Sequence, residues 1–311
     1  MNKLLLTLIV VACFNAYANQ PLYSYAQSPL HSNVLSLQLR DANPQPIGSF
    51  ELKTAYTQAS IWAETNEFMF DYYQNSVDLA LSYQVNTIWK SEVAFKRIKA
   101  KDNGLDELTK NFHDLFGIGH NGRDEVPQDR FYLSIPNESI EISDFKGETL
   151  TRSISSYNEL SLYQSNPLSI SAGATLYYND VHDGPFARTS FEQGIQLNTR
   201  YSASVYHLYS SLGLVHRNSD VSETVLVDSA GFVSVGYQYD FNNVHSLLVE
   251  SHNYKGWATS NTTFAEPSNE VLLGYRYRQS NTAVEAFMTE NVRNMDNSTD
   301  IAFTIVIRVR L

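Results

Sequence analysis

Five short polar breaks (84–86, 164–167, 201–203, 241–243 and 279–282) alternate along this chain with six longer ones (61–66, 100–148, 179–189, 217–230, 254–269 and 291–299). Between the breaks, apolar and polar residues take turns. Strands joined by tight turns at one end and long loops at the other give the sequence pattern of an outer-membrane β-barrel. The segments predict twelve strands, at 49–60, 69–83, 88–99, 149–163, 168–178, 190–200, 204–216, 231–240, 244–253, 270–278, 283–290 and 300–311. An even number returns both ends of the barrel to the short-turn, periplasmic side.

Phase assigns the two faces, because strand side chains alternate with a period of two. In the last strand Phe303, Ile305, Ile307, Val309 and Leu311 share one face, and Thr304, Arg308 and Arg310 share the other. Near 233–240, Val233, Val235, Tyr237 and Tyr239 oppose Ser234, Gly236, Gln238 and Asp240. A soluble β-sandwich shows the same alternation with the apolar face turned inward. Lipid reverses that choice: a Lys or Arg facing the bilayer midplane costs ~2–4 kcal/mol, so the polar face must line the bore. The 20 tyrosines and 16 phenylalanines suit interfacial girdles.

The N-terminus reads as a secretory signal at residues 1–18. Lys3 gives the positive start, 4–11 the apolar core, and Ala16-Tyr17-Ala18 the cleavage site. Cys13, the one cysteine, leaves with that signal; the rival reading makes it the acylated residue of a lipoprotein. A thiol-free mature chain excludes disulfide scaffolds and Cys nucleophiles. A net charge of −11 argues against nucleic acid as a partner. Residues 19–48 precede the first strand and are expected as a periplasmic or plug segment, with the barrel over 49–311.

The stretch FHDLFGIGHNGRDEVPQDRF, from Phe112 to Phe131, resembles the segment F-H-D-L-F-G-L-P-x-x-G-R-x-x-x-P-x-D-x-F of a Gram-negative family of unknown function. Gln27-Ser28-Pro29-Leu30 is similar to that family's N-Q-S-P-L. The 284–309 run, with Thr289-Glu290-Asn291 and then Asp300, is similar to its closing strand pair. The motif residues that carry the likeness are Phe112, His113, Asp114, Gly122, Arg123, Pro127 and Asp129, with Gly119 where a proline is usual. The resemblance implies an outer-membrane barrel and brings no catalytic residues, since the family has no established activity.

The 100–148 insertion holds one helix by pattern, at about 105–117. Leu105, Leu108, Phe112, Leu115 and Phe116 fall on one face at helical spacing, and Asn103 can cap it. Such a stripe must be buried, so the helix is expected as a plug in the lumen or a lid over the mouth. His113, Asp114, His120, Arg123, Asp124 and Asp129 crowd nearby. They read either as an acid–base site or, in the favoured reading, as polar pinning of the insertion to the wall. Two histidines without a nucleophile signature carry little catalytic specificity. No cofactor motif is present, and neither these histidines nor the acidic 296–300 loop is assigned a metal.

Topology adds what composition does not. Arg200, Arg276, Arg278, Arg308 and Arg310 lie inward at the short-turn ends, with Glu51 brought beside the last two where the first strand closes on the last. This collar reads as a structural network with Glu51, Glu92, Asp240 and Glu285, or as an anion-favouring ring. At the other rim Arg97 and Lys99 fall in phase with Phe95, facing outward where lipopolysaccharide phosphates would meet them. The leading functional reading is a small-solute channel or permeability barrel, with or without a plug, in contact with outer-membrane lipid. The alternatives are an outer-membrane hydrolase of phospholipid or lipid A, with His216 as its lipid-side histidine, and a structural or surface-interaction barrel.

Overall fold

The computed structural model describes residues 19–105, 126–127, 129–218, 227–256, 263–297 and 299–311. The expected signal sequence, the expected 105–117 helix beyond Leu105, and Phe112, His113, Asp114, His120, Gly122, Arg123 and Asp124 lie outside the described residues.

Three strands open the sheet: β1 (Phe50–Glu64), β2 (Met69–Gln84) and β3 (Trp89–Ala100). A small hairpin follows, β4 (Tyr132–Ile135) and β5 (Ile140–Ser143). The rest are β6 (Thr149–Gln164), β7 (Leu168–Val181), β8 (Arg188–Ser202), β9 (Tyr206–Asn218), β10 (Ser229–Asp240), β11 (His245–Tyr254), β12 (Ser268–Gln279), β13 (Thr282–Asn291) and β14 (Ile301–Arg310). All neighbours are antiparallel, and β1 pairs with both β2 and β14, so twelve strands form a closed barrel. Apart from Leu105, helix among the described residues is confined to short 3₁₀ turns, at His31–Asn33, Pro136–Glu138, Thr263–Ala265 and Met295–Asn297.

The β4–β5 hairpin is an addition to the expected twelve. Its two alternating stretches are only four residues each, too short to register as strands within a 49-residue break. They form because β2 outruns β3: Met69, Phe70 and Asp71 have no partner on β3 and pair with Ser134, Leu133 and Tyr132. An open edge of main-chain donors and acceptors is a template for a further strand.

The faces fall as the alternation requires. On β14, Ile305 is 57% and Ile307 48% exposed, while Arg308 between the outward residues is 2% exposed. The same holds around the wall, where Leu212, Leu214, Val235, Leu273 and Ile195 point out and Ser211, Gln238 and Glu250 point in. A dry core wrapped by charge, as in a sandwich, is therefore not what this chain builds. Near the short-turn rim Tyr201, Tyr206 and Tyr237 stack outward in a row with centroids 6.4 and 6.3 Å apart, an arc of an aromatic girdle.

Apolar packing concentrates at the long-loop end. Phe68, Phe70, Tyr72, Phe131, Phe145 and Phe264 are buried together with Leu30 from the N-terminal segment. Phe68 stacks on Phe264 at 4.1 Å, and Phe131 meets Phe145 edge-on at 5.8 Å. Residues 19–45 are almost entirely buried and bond to inward side chains of the wall. The chain then makes an exposed turn at Pro46–Gly48, where Gly48 takes a φ of +80° open to glycine, and enters β1.

Candidate functional site: the bore and the segment within it

The bore is defined by what residues 19–45 touch. Asn19 lies at the short-turn rim, where its carbonyl accepts a hydrogen bond from Arg200 at 3.0 Å and its side-chain amide donates to Asp240 at 2.9 Å. The chain climbs past Leu22 and Tyr23 to Gln27 and Ser28. It turns through a 3₁₀ element at His31–Asn33, where His31 Nε2 lies 3.1 Å from the Lys255 carbonyl just beyond the long-loop end of β11. The return limb passes Leu35, Leu37 and Leu39 and reaches Asp41, which pairs with Arg200 at 2.9 Å back at the starting rim. Gln38 Nε2 donates to the Ser24 carbonyl at 2.8 Å and ties the two limbs together.

A chain buried without sheet partners leaves its amides and carbonyls to be satisfied by side chains. Here the wall does so with charged groups. Glu250 accepts from the Leu22 amide at 2.6 Å, Glu285 from Tyr23 at 3.2 Å, and Glu192 from Leu35 at 2.8 Å. Glu270 accepts from both Gln27 and Ser28 at 2.8 Å. Cations serve the carbonyls: Arg276 and Arg308 both donate to Pro21 O, at 3.1 and 2.6 Å, and Lys96 donates to Ser32 O at 2.7 Å. Hydrogen bonds with one charged partner are about twice as strong as neutral ones.

The segment's leucines are seated on wall glycines. A Cβ at Gly194 would stand 2.8 Å from Leu37, one at Gly236 2.7 Å from Leu39, and one at Gly274 2.9 Å from Leu22, and Gly213 is closer still to Leu37. A Cβ at any of these inward positions would press on a leucine methyl tip of the segment, so leucine and glycine meet closely there. Among the described residues, two cavities beside it measure about 20 and 30 Å³. Each holds one or two waters at most.

The arginines singled out by topology are inward and buried. Arg276 and Arg308 share Glu285, at 2.7 and 2.8 Å, and Arg278 pairs with Asp240 at 3.0 Å. Glu51 stands opposite Arg310 and Lys53 opposite Arg308 in the β1–β14 register. Glu51 is also gripped by both ends of the segment, accepting from Gln20 at 3.3 Å and from Gln45 at 3.0 Å. Glu92 takes Arg40 at 2.8 Å and Lys53.

Arg97 is exposed on the outer face opposite Arg152, and Lys99 is partly exposed beside it. Arg97 donates to Thr149 at 3.3 Å, and Arg152 pairs with Asp180 at 2.6 Å. His216 is outward and exposed. Of the insertion motif, Pro127 and Asp129 are exposed in a turn, Asp129 with a φ of +58°, and Phe131 packs edge-on against Tyr73 at 5.8 Å. The structure therefore brings the collar together and leaves the described remainder of the motif away from it.

Sequence reasoning missed the roles of Glu192, Glu250, Glu270 and Glu285 as acceptors for main-chain amides. It also missed the glycine seats. A signal existed: Leu35, Leu37 and Leu39 alternate with Ser36 and Gln38 outside any predicted strand, and the seat glycines stand in the polar phase of theirs.

Over residues 3–311 the sequence matches the family described as "Protein of unknown function (DUF3187)". The chain belongs to this family. No curated protein matches the sequence. Among solved structures, this DUF3187 chain is similar to the COG4313 outer membrane channel from Pseudomonas putida F1, with a TM-score of 0.55 and 9% identity over 89% of this chain and 100% of that one. It is also similar to the NanC porin, with a TM-score of 0.50 and 8% identity over 84% of this chain and 100% of that one. At such identities the likeness shows that DUF3187 shares the barrel fold of outer-membrane proteins.

Proposed function

We propose that this protein is a channel-like barrel of the outer membrane, kept closed by residues 19–45 acting as an internal plug. The observation that carries the reading is the character of the bore. Its wall is lined with ionisable groups that water could solvate as readily as the segment does, while its outer face is apolar. The COG4313 channel and the NanC porin, with the same fold, are named as a channel and a porin. On this reading the short-turn rim is periplasmic, and Arg97, Lys99 and Arg152 stand at the outer rim.

The arginine collar then has two states. With the segment in place it is structural, because Arg276, Arg308 and Arg200 are spent on Pro21, Asn19 and paired carboxylates. With the segment displaced, their donors turn to solutes, and a ring of side-chain cations favours anions. The test is conductance of the purified full chain in a planar bilayer. A quiet resting state, with rare openings that favour anions weakly, is expected. A large, steady, cation-selective conductance would overturn the plugged-channel reading.

A further inference from the structure

We infer that the bore is a receptor for an extended polypeptide, which it holds by the main chain and indexes by leucine side chains on wall glycines. The inference rests on the channel reading only in requiring that the segment can leave.

Three observations carry it. First, Glu192, Glu250, Glu270 and Glu285 reach amide N–H groups, and Arg276, Arg308 and Lys96 reach carbonyls. A ligand matching this wall must present both donors to carboxylates and acceptors to cations along its length. A peptide main chain does so at every residue. A small anion offers nothing to the carboxylates. Second, between residues 19 and 45 only Arg40 and Asp41 carry a fixed charge, and they account for Glu92 and Arg200 alone, so the rest of the ionic wall is not answering charged side chains on its occupant. Third, selectivity is built where main-chain contacts supply none. Gly194 and Gly213 seat Leu37, and Gly236 seats Leu39, on three consecutive strands, so leucines two residues apart are read by neighbouring strands. Both ends of the bound segment lie at the short-turn rim, which makes that rim the side from which such a peptide is presented.

The experiment uses the folded full chain with a protease site placed in the exposed 46–48 turn. Cutting after folding converts residues 19–45 into a non-covalent ligand. A dye-labelled synthetic peptide of residues 20–45 is then offered in excess, beside the same peptide N-methylated at the Leu22, Tyr23, Gln27 and Leu35 amides. The native peptide is expected to exchange in and to bind at least tenfold more tightly than the methylated one, since four charge-assisted bonds are removed. Equal binding of the two, or no exchange into cut protein that conducts, overturns the receptor and leaves the channel standing. Exchange into protein that never conducts keeps the receptor and sinks the channel. Neither exchange nor conductance overturns both.

Discussion

Glu285 is the group whose loss should open the bore most readily. Its carboxylate is fully buried and holds Arg276 Nη2 at 2.7 Å and Arg308 Nε at 2.8 Å, and it accepts the Tyr23 amide at 3.2 Å. Glu285→Gln keeps the shape and removes the charge. Two buried guanidinium groups then share no carboxylate at that point. Breaking a buried ion pair by removing one partner costs roughly 3–5 kcal/mol, because the remaining charge stays desolvated. In a barrel that cost has a particular outlet. The strands are locked by their own hydrogen-bond ladders, and β13 is paired with β12 over its whole length and with β14 from Thr282 to Glu290. The segment has no ladder, so water can enter where it leaves and rehydrate Arg276 and Arg308. Even the lower figure, about 3 kcal/mol, corresponds to roughly a hundredfold shift from the closed toward the open state. Single-channel recording of Glu285→Gln should show open probability raised on that order, with the folded barrel's heat-modified mobility on gels unchanged. Adding Arg276→Gln should recover part of the closure by removing one stranded cation. An open probability equal to that of the unsubstituted protein would refute the claim that these ion pairs seat the segment.

Two further outcomes are expected. Leu22→Cys with Gly274→Cys places two thiols across a leucine seat in a chain whose one native cysteine, Cys13, falls within the expected signal sequence. Oxidation should lock the segment and abolish openings, and reductant should restore them; openings that persist in fully oxidised protein would count against the plug. Arg97→Ser with Lys99→Ser removes two outward cations at the long-loop rim and should lower the lipopolysaccharide that co-purifies, as measured by phosphate per barrel, while equal phosphate would retire that contact.

The wall of this barrel was legible in its sequence, and the 19–48 segment was open to a periplasmic or a plug reading, but the seating of that segment was not legible, for a physical reason. Lipid penalises every charged residue placed on the wrong face, so Ile305, Ile307, Arg308 and Arg310 fix the phase of β14 between them, and each strand repeats the constraint. The inward arginines follow from the same rule, because phase and turn order suffice to place them at one rim. What they bond to does not follow. Arg276 and Arg308 meet at Pro21, more than 250 residues away in sequence, and no local period encodes that meeting. Residues 19–45 carry no ladder and no helical repeat, and their contacts are spread over all twelve wall strands, so their alternating leucines look like an orphan strand until the glycines across the bore are known. The hairpin β4–β5 was hidden for a related reason, since its stability comes from the spare edge of β2 and not from its own eight residues. A self-complementary wall announces itself in periodicity. A ligand covalently attached to its own receptor shows only in paired irregularities: glycines where polar residues are due, leucines where no strand is. That pairing makes a direct sequence-level claim about other chains of this architecture. Where the inward glycines are replaced by larger side chains, the leading segment should have lost its leucines at the matching positions, and chains that keep one without the other should conduct at rest.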